Sequence, residues 1–161
     1  MMEWFVKAFL KASLTWFGLG VTLGMLMAIR PEWVVYRTAH FHMNFLGFIT
    51  MMIFGVAYHV IPRFTGHALH SRRIAGAQFW ISNAGLAVLA GGFASMATLG
   101  TRAWPLLAAG GVVSALGAYL FIYNLWRTID GSRTQREAAA RAAAQQAAAQ
   151  AATTTRRLPV S

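Results

Sequence analysis

The stretch RTAHFHMNFLGFITMMIFGVAYHVIPRFTG, residues 37–66, is as apolar as lipid over most of its length, yet it contains three histidines. A helix of about 20 residues crosses the ~30 Å hydrocarbon core of a bilayer, so this stretch is long enough to span a membrane. Ionisable side chains inside such a helix are costly and are functional candidates by default. The segment therefore predicts a membrane fold and also the place where its chemistry lies.

The rest of the chain repeats this apolar pattern. Of its 161 residues 57% are hydrophobic and 11% are charged. Four apolar runs lie at residues 4–29, 38–62, 74–99 and 103–126, and none has the polar stripe of a soluble bundle. We predict an all-α fold, an integral membrane four-helix bundle formed by residues 1–130. Residues 131–161 form an alanine-rich basic tail, which we expect to be a frayed helix or disordered.

The positive charges predict the orientation of the bundle. Of the 14 Lys and Arg residues, only Arg30, Arg37 and Arg102 fall on the side opposite the termini. Cytoplasmic loops carry the excess of Lys and Arg, so both termini are expected in the cytoplasm of a bacterial-type cell, with the spans in its inner membrane. The basic balance then indicates topology and affinity for the lipid bilayer, and we expect no nucleic-acid partner.

Two further classes are excluded by composition. Lys7 and Lys11 lie inside the first apolar run, which is too long for a cleavable signal peptide. The chain has no cysteine, so it offers no disulfide, no cysteine-ligated iron–sulfur cluster and no c-type haem attachment. In the first apolar run, residues 4–29, Gly20 and Gly24 have GxxxG spacing, which favours ordinary close packing of helices.

A helical wheel separates the two outer histidines of the second run. At about 100° per residue, the face of His40 is partly polar and contains glycines, whereas the face of His42 is aliphatic and suits lipid or helix packing. The residues grouped with His40 are Asn44, Gly47, Met51, Gly55 and Tyr58. Because a flat porphyrin needs small residues beside its ligand, we favour His40 as an iron ligand, with Gly47 and Gly55 making room. His42 is then structural or supports the ligand.

The other histidines are weaker candidates. His59 follows His40 by 19 residues, which is roughly 28 Å along a helix. The two therefore lie at opposite membrane faces, and His59 could belong only to a second cofactor site. His67 and His70 lie in a short basic loop and are expected to be solvated. Any single histidine near an interface could also simply bond a loop carbonyl group.

These residues resemble the second transmembrane helix of the catalytic subunit of haem–copper oxidases and nitric oxide reductases, especially of the cbb3 type. The resemblance is strongest over residues 12–66 and rests on Arg37, His40, Gly55 and the exit sequence YHVIPR, residues 58–63. It implies that His40 binds the iron of haem b. The family holds copper with three histidines from later helices, but spans three and four here have none. The chain is therefore not expected to reduce oxygen alone, and whether it is an enzyme stays open.

A low-spin haem needs a sixth ligand, and the sequence leaves its source open. A second His or a Met would serve, and Met96 near the outer end of span three is a candidate. Large family members resemble three arcs of four helices about a pseudo-threefold axis. A four-span relative could be a single arc that self-associates as a trimer or a dimer, or could join a larger respiratory complex.

Three functions follow from these observations. The first is a b-type cytochrome of a respiratory chain, in which Arg37 pairs with a haem propionate and electrons pass to or from a quinol or cytochrome c, or the iron binds a diatomic gas. The second is a non-haem accessory or assembly subunit of a larger oxidase. The third is a copper-binding protein that uses the imidazole and thioether groups of HFHM, residues 40–43, as soft ligands.

Overall fold

The computed structural model describes residues 2–156, with the side chains of residues 132–136 and 151–156 left aside. Within that range the chain forms four long helices joined by short connections, and it contains no β-strand. Helix α1 is Trp4–Ile29, helix α2 lies within the helical run Pro31–Thr65, helix α3 is Arg72–Leu99 and helix α4 is Trp104–Arg156. The predicted all-α class is confirmed.

Helix α2 is not a uniform α-helix. A 3₁₀ turn, Pro31–Tyr36, leads into the α-helical Arg37–His42, the π-helical Met43–Thr50 and the α-helical Met51–Thr65. The predicted apolar run, residues 38–62, is shorter than the helix, because Pro62 lies inside the helix. The helix ends at Thr65 and is followed by Gly66 in the left-handed region (φ 70°). Glycine is favoured there because it carries no Cβ. Nothing in the sequence indicated the π-helical segment.

Helices α3 and α4 form an antiparallel hairpin with very close backbones. A Cβ on Gly85 would lie 2.6 Å from the backbone nitrogen of Ser114, and one on Gly110 would meet the backbone of Leu89. The contacts run in opposite directions along the two helices, since Gly92 meets Leu107 at one end and Gly117 meets Ser82 farther along. The reversal occurs at Gly100, which has φ 52°, and in the 3₁₀ turn Gly100–Ala103.

Three helical segments of the described chain are long and apolar enough to cross a membrane: Trp4–Ile29, Pro31–Thr65 and Arg72–Gly131. The third contains all of α3 and the apolar part of α4, which fold back on each other. The structure thus agrees with several membrane helices. The count of four crossings and the cytoplasmic position of the termini stay predictions.

An aromatic core joins all four helices near the N-terminus of α1. Phe9 packs edge-on against Phe79 of α3, with ring centroids 5.2 Å apart, and Phe5 packs likewise against Tyr58 of α2 at 5.6 Å. Phe121 of α4 closes the group against Phe54 of α2 at 4.3 Å. Such pairs add about 0.5–1.5 kcal/mol each beyond the burial of their area. This core holds the N-terminal half of α1 against the C-terminal half of α2.

Beyond the hairpin, α4 continues without a break to Arg156. Its described side chains from residue 137 to residue 150 are all exposed. Alanine has the highest helix propensity, which accounts for a helix whose side chains are exposed. The predicted boundary between the bundle and the tail therefore falls inside one helix.

Candidate functional site

His40 lies between α1 and α2 and is held by the backbone of α1. Its Nδ1 is 2.8 Å from the carbonyl oxygen of Gly20. A carbonyl oxygen can only accept a hydrogen bond, so Nδ1 carries the ring proton and Nε2 keeps its lone pair. Histidines that bind metal through Nε2 usually donate the other N–H in this way, which fixes the tautomer and the ring orientation.

Asn44, one turn after His40, completes this contact. Its Nδ2 donates to the carbonyl oxygen of His40 at 2.9 Å and lies 3.3 Å from the Nδ1 of His40. Two donors do not share a hydrogen bond, so the longer approach is a contact only. The Asn44 side chain also fills the space beside Gly20, where a Cβ would lie 2.8 Å from its Cγ.

The two glycines of the GxxxG pair in α1 make this arrangement possible. A Cβ on Gly24 would lie 2.9 Å from Cε1 of His40, and Gly20 supplies both the carbonyl group and the space for Asn44. The sequence predicted close packing of helices at these positions, and that is confirmed. It did not connect them with the histidine, which is the partner that the small residues admit.

The glycines of α2 face α1 as well. A Cβ on Gly47 would lie 2.7 Å from Cγ of Trp16, and one on Gly55 would lie 3.1 Å from Cβ of Phe9. These were the positions expected to leave room for a porphyrin. In the structure that room holds side chains of α1, so both glycines serve the packing of α1 against α2.

His42 lies on another side of α2. Its Nδ1 is 2.8 Å from the carbonyl oxygen of Thr38 in the same helix, and its ring stacks on Phe93 of α3 at 4.6 Å. Met96 follows Phe93 by three residues and so shares that face of α3. The predicted sixth ligand, Met96, therefore belongs to the face of α3 that meets His42, and its role as a ligand stays a prediction.

Arg37 is the first residue of the α-helical part of α2 and is exposed. It precedes His40 by three residues, so both lie on one face of the helix. Among the described residues the nearby ion pair at this end joins Arg30 to Glu32 at 3.9 Å and does not involve Arg37. Arg37 thus shares a helix face with His40, and the ion pairs found among the described residues do not include it.

His59 has the opposite hydrogen-bonding pattern. Nη1 of Arg63 donates to its Nδ1 at 2.9 Å. Arginine has no acceptor, so Nδ1 of His59 holds the lone pair and the neutral ring carries its proton on Nε2. His59 therefore presents a donor at Nε2, where His40 presents a lone pair.

A second polar group, missed by the sequence analysis, fixes the loop between α2 and α3 to α4. The side chain of Asn124 accepts from the backbone N–H of Ser71 at 3.0 Å and donates to the carbonyl oxygen of Ser71 at 2.9 Å. Thr128 accepts from the backbone N–H of His70 at 3.0 Å, and both polar side chains are essentially fully buried. The sequence signal for this group was two polar residues four positions apart in an apolar run, but the sequence did not show that their partner is the loop.

Within residues 2–156, no three His, Asp or Glu side chains come close enough to share a metal ion.

Comparison with known proteins places the chain in a family. The sequence model described as Cytochrome C and Quinol oxidase polypeptide I matches residues 4–140. The match extends well past residues 12–66, where the sequence resemblance is strongest, and includes α3 and most of α4. Together with the long apolar helices, it indicates a multi-pass membrane protein.

Two curated relatives agree with this match. The chain is 24% identical over 165 residues to the Cbb3-type cytochrome c oxidase subunit CcoN1 of Stutzerimonas stutzeri. The match covers 84% of this chain and 35% of that protein. It is 25% identical over 147 residues to Cytochrome c oxidase subunit 1 of Rhodobacter capsulatus. This second match covers 73% of this chain and 28% of that protein. The chain thus spans about a third of the length of the curated relatives that it matches.

Proposed function

The chain belongs to the cytochrome c and quinol oxidase polypeptide I family, and from this premise we propose that it is a membrane b-type cytochrome whose haem iron is bound by Nε2 of His40. The observation that carries the proposal is the 2.8 Å hydrogen bond from Nδ1 of His40 to the carbonyl oxygen of Gly20. This bond leaves Nε2 with the lone pair that an iron ligand needs, and it makes the ring more basic.

The residues around His40 divide the work of holding such a cofactor. The Gly20 carbonyl group and Asn44 orient the ring, and Gly24 lets it lie against α1. Arg37, one turn earlier, is assigned to a haem propionate, since guanidinium and carboxylate form strong paired hydrogen bonds. When bound, haem would supply one-electron transfer or a site for a diatomic gas. Gly47 and Gly55 are assigned to the packing of α1, because its side chains occupy the space beside them.

The second residue that would hold the haem is assigned to another polypeptide chain. His42 stacks on Phe93 of α3 whereas His40 contacts α1, and Met96 lies on the face of α3 that contains Phe93, so neither is assigned as the second ligand. The chain also covers only about a third of its curated relatives. A homo-oligomer, a dimer or trimer with haem at the subunit interface, or a larger respiratory complex would supply the missing residue. A quinol or a cytochrome c is the electron partner that this role requires.

One observation favours a second function, that of a non-haem accessory or assembly subunit. The glycines of α2 admit Trp16, Phe9 and Leu10 of α1, so side chains of α1 fill the space beside both Gly47 and Gly55. In this case the His40 hydrogen bond serves only to join α1 to α2. Copper binding by residues 40–43 has less support, because His40 contacts α1 whereas His42 contacts α3.

The experiment is an optical spectrum of the full-length protein, purified in detergent after expression with ample haem, first oxidised and then reduced with dithionite. We expect sharp α and β bands of a low-spin b haem in the wild type, their loss in His40→Ala and their retention in His42→Ala. Loss in His42→Ala alone would overturn the assignment of the ligand. A colourless wild-type protein would favour the accessory-subunit function.

A further inference from the structure

A cavity of ≈290 Å³ lies at the end of the bundle opposite His40, where α1 begins and α2 ends. Its apolar wall is formed by Phe5, Val6, Pro62 and Leu69, and its polar residues are Glu3, Tyr58, His59, Arg63 and Arg72. The volume is close to the lower limit of ligand pockets, about 300 Å³. An apolar wall beside two arginines at the end of membrane helices suits a molecule that is itself amphipathic.

The cationic groups of this cavity are held in place before any ligand arrives. Nη1 of Arg63 donates to the carbonyl oxygen and to Nδ1 of His59. Nη2 of Arg72 pairs with Oε1 of Glu3 at 2.8 Å. Each guanidinium group has five N–H donors, so both keep further donors for a ligand. The Nε2–H of His59 adds one more, because its Nδ1 accepts from Arg63.

The charge balance of the cavity specifies a single negative charge. Glu3 neutralises Arg72 through their ion pair, and His59 is neutral in the tautomer that its Arg63 contact requires. Arg63 then carries the one uncompensated positive charge of the wall. The carboxylate of Glu3 is an acceptor and would repel a second anionic charge. A phosphodiester has one negative charge, which balances that of Arg63, and two free acceptor oxygens that can bond to its planar fork.

We propose that the cavity between Arg63, Arg72 and His59 binds the phosphodiester headgroup of an anionic phospholipid. Basic pockets between membrane helices are suited to such headgroups. The half-buried Pro62 and Leu69 of the apolar wall would receive the glycerol end of the acyl chains. This site is separate from His40, roughly 28 Å away along α2, and holds whether or not the chain binds haem.

The test is native mass spectrometry of the full-length protein in mild detergent, titrated with phosphatidylglycerol or with phosphatidylcholine of the same acyl chains. We expect the wild type to bind phosphatidylglycerol about tenfold more tightly than phosphatidylcholine. Both lipids have the phosphodiester, but the quaternary ammonium group of choline cancels its charge and would lie beside the two arginines. Arg63→Gln should abolish this preference. Glu3→Gln should strengthen it, since the competing carboxylate is removed.

Arg73→Gln is the matched control. Arg73 has the same charge at the same end of the bundle and is adjacent to Arg72, but it does not line the cavity. It should keep the preference for phosphatidylglycerol within about twofold. Should Arg63→Gln fail to fold, Arg63→Lys tests the same point, because it keeps the charge but loses the planar fork and should weaken binding less.

Two outcomes would overturn the proposal. Equal loss of lipid binding in Arg63→Gln and Arg73→Gln would indicate general surface charge in place of a site. Displacement of phosphatidylglycerol by millimolar inorganic phosphate, with no preference between the two lipids, would indicate a site for the free ion and not for a lipid. Full binding in the presence of phosphate is the result expected of a lipid headgroup site.

Discussion

The imidazole of His40 and the backbone carbonyl group of Gly20 lie 2.8 Å apart, so the histidine of α2 is oriented by α1. The hydrogen bond joins residues 20 positions apart in the sequence and so links the two helices directly. In a membrane such a bond between helices contributes on average ~0.6 kcal/mol. Its main consequence is therefore geometric, since it fixes which ring nitrogen keeps a lone pair.

The space beside His40 can be tested with Gly24→Ala. The new methyl group would lie 2.9 Å from Cε1 of His40, so the ring must move or the helices must separate. We expect a loss of about 1–3 kcal/mol in the free energy of unfolding, as overpacking of a close contact usually costs. If haem is bound, the absorption bands should also shift or weaken. The measurement is thermal unfolding in detergent followed by circular dichroism, with the optical spectrum recorded alongside.

The control for Gly24→Ala is Gly18→Ala in the same helix. A Cβ on Gly18 would have no atom within 4 Å. Replacing glycine by alanine in a helix interior stabilises it by roughly 0.5–1 kcal/mol where nothing obstructs the methyl group. Equal effects of the two substitutions would contradict the contact between Gly24 and His40.

The hairpin of α3 and α4 offers an adjacent pair of glycines for the same comparison. In Gly110→Ala the new Cβ would meet the backbone of Leu89, which cannot rotate away, whereas in Gly111→Ala it would enter open space. We expect Gly110→Ala to destabilise the protein by about 1–3 kcal/mol and Gly111→Ala to be neutral or stabilising by up to about 1 kcal/mol. Unfolding in detergent, measured by far-ultraviolet circular dichroism, distinguishes them. A neutral effect of Gly110→Ala would contradict the close approach of the two backbones at Gly110 and Leu89.

Much of α2 could be predicted because helical periodicity separates its faces. The aliphatic stripe around His42 is exposed at Phe45, Ile49, Ile53 and Val56, whereas Met51 and Tyr58 on the His40 face are buried. A wheel gives this separation from the spacing alone. It cannot give the identity of the neighbour, because a glycine indicates close approach without specifying what approaches. A porphyrin and α1 are both consistent with Gly47 and Gly55 in the sequence.

Other features depend on contacts that are distant in the sequence. The π-helical segment Met43–Thr50 has i→i+5 hydrogen bonds in place of the i→i+4 bonds of an α-helix, and no residue pattern in the sequence marked it. Asn124 was visible as a polar residue in an apolar run, but its partner is the backbone of Ser71, 53 residues earlier. Only the folded hairpin brings these groups together.

The contact between Asn124 and the loop can be tested with Asn124→Leu. This change removes both hydrogen bonds to Ser71 and leaves its backbone N–H and carbonyl oxygen without those partners. We expect a loss of about 1–3 kcal/mol, the cost of unsatisfied buried polar groups. Hydrogen–deuterium exchange should become faster at the amides of His70 and Ser71. The control is Thr22→Val, which removes only an exposed hydroxyl group bonded to Gly18 of its own helix. Unchanged exchange at residues 70 and 71 would show that Asn124 does not hold the loop.

The hydrogen bond between Trp16 and Asn83 can be measured by a double-mutant cycle. Nε1 of Trp16 donates to Oδ1 of Asn83 at 3.0 Å and joins α1 to α3, while Nδ2 of Asn83 bonds the carbonyl oxygen of Phe79 in its own helix. We expect a coupling energy of about 0.6 kcal/mol, and not above about 1.7 kcal/mol, between Trp16→Phe and Asn83→Ala. Unfolding of the two single variants and the double variant in detergent provides it. Trp80→Phe serves as the control partner because Trp80 is 67% exposed, and its coupling to Asn83→Ala should be close to zero. A coupling for Trp80 as large as that for Trp16 would show that the cycle measures general loss of α3 packing and not this bond.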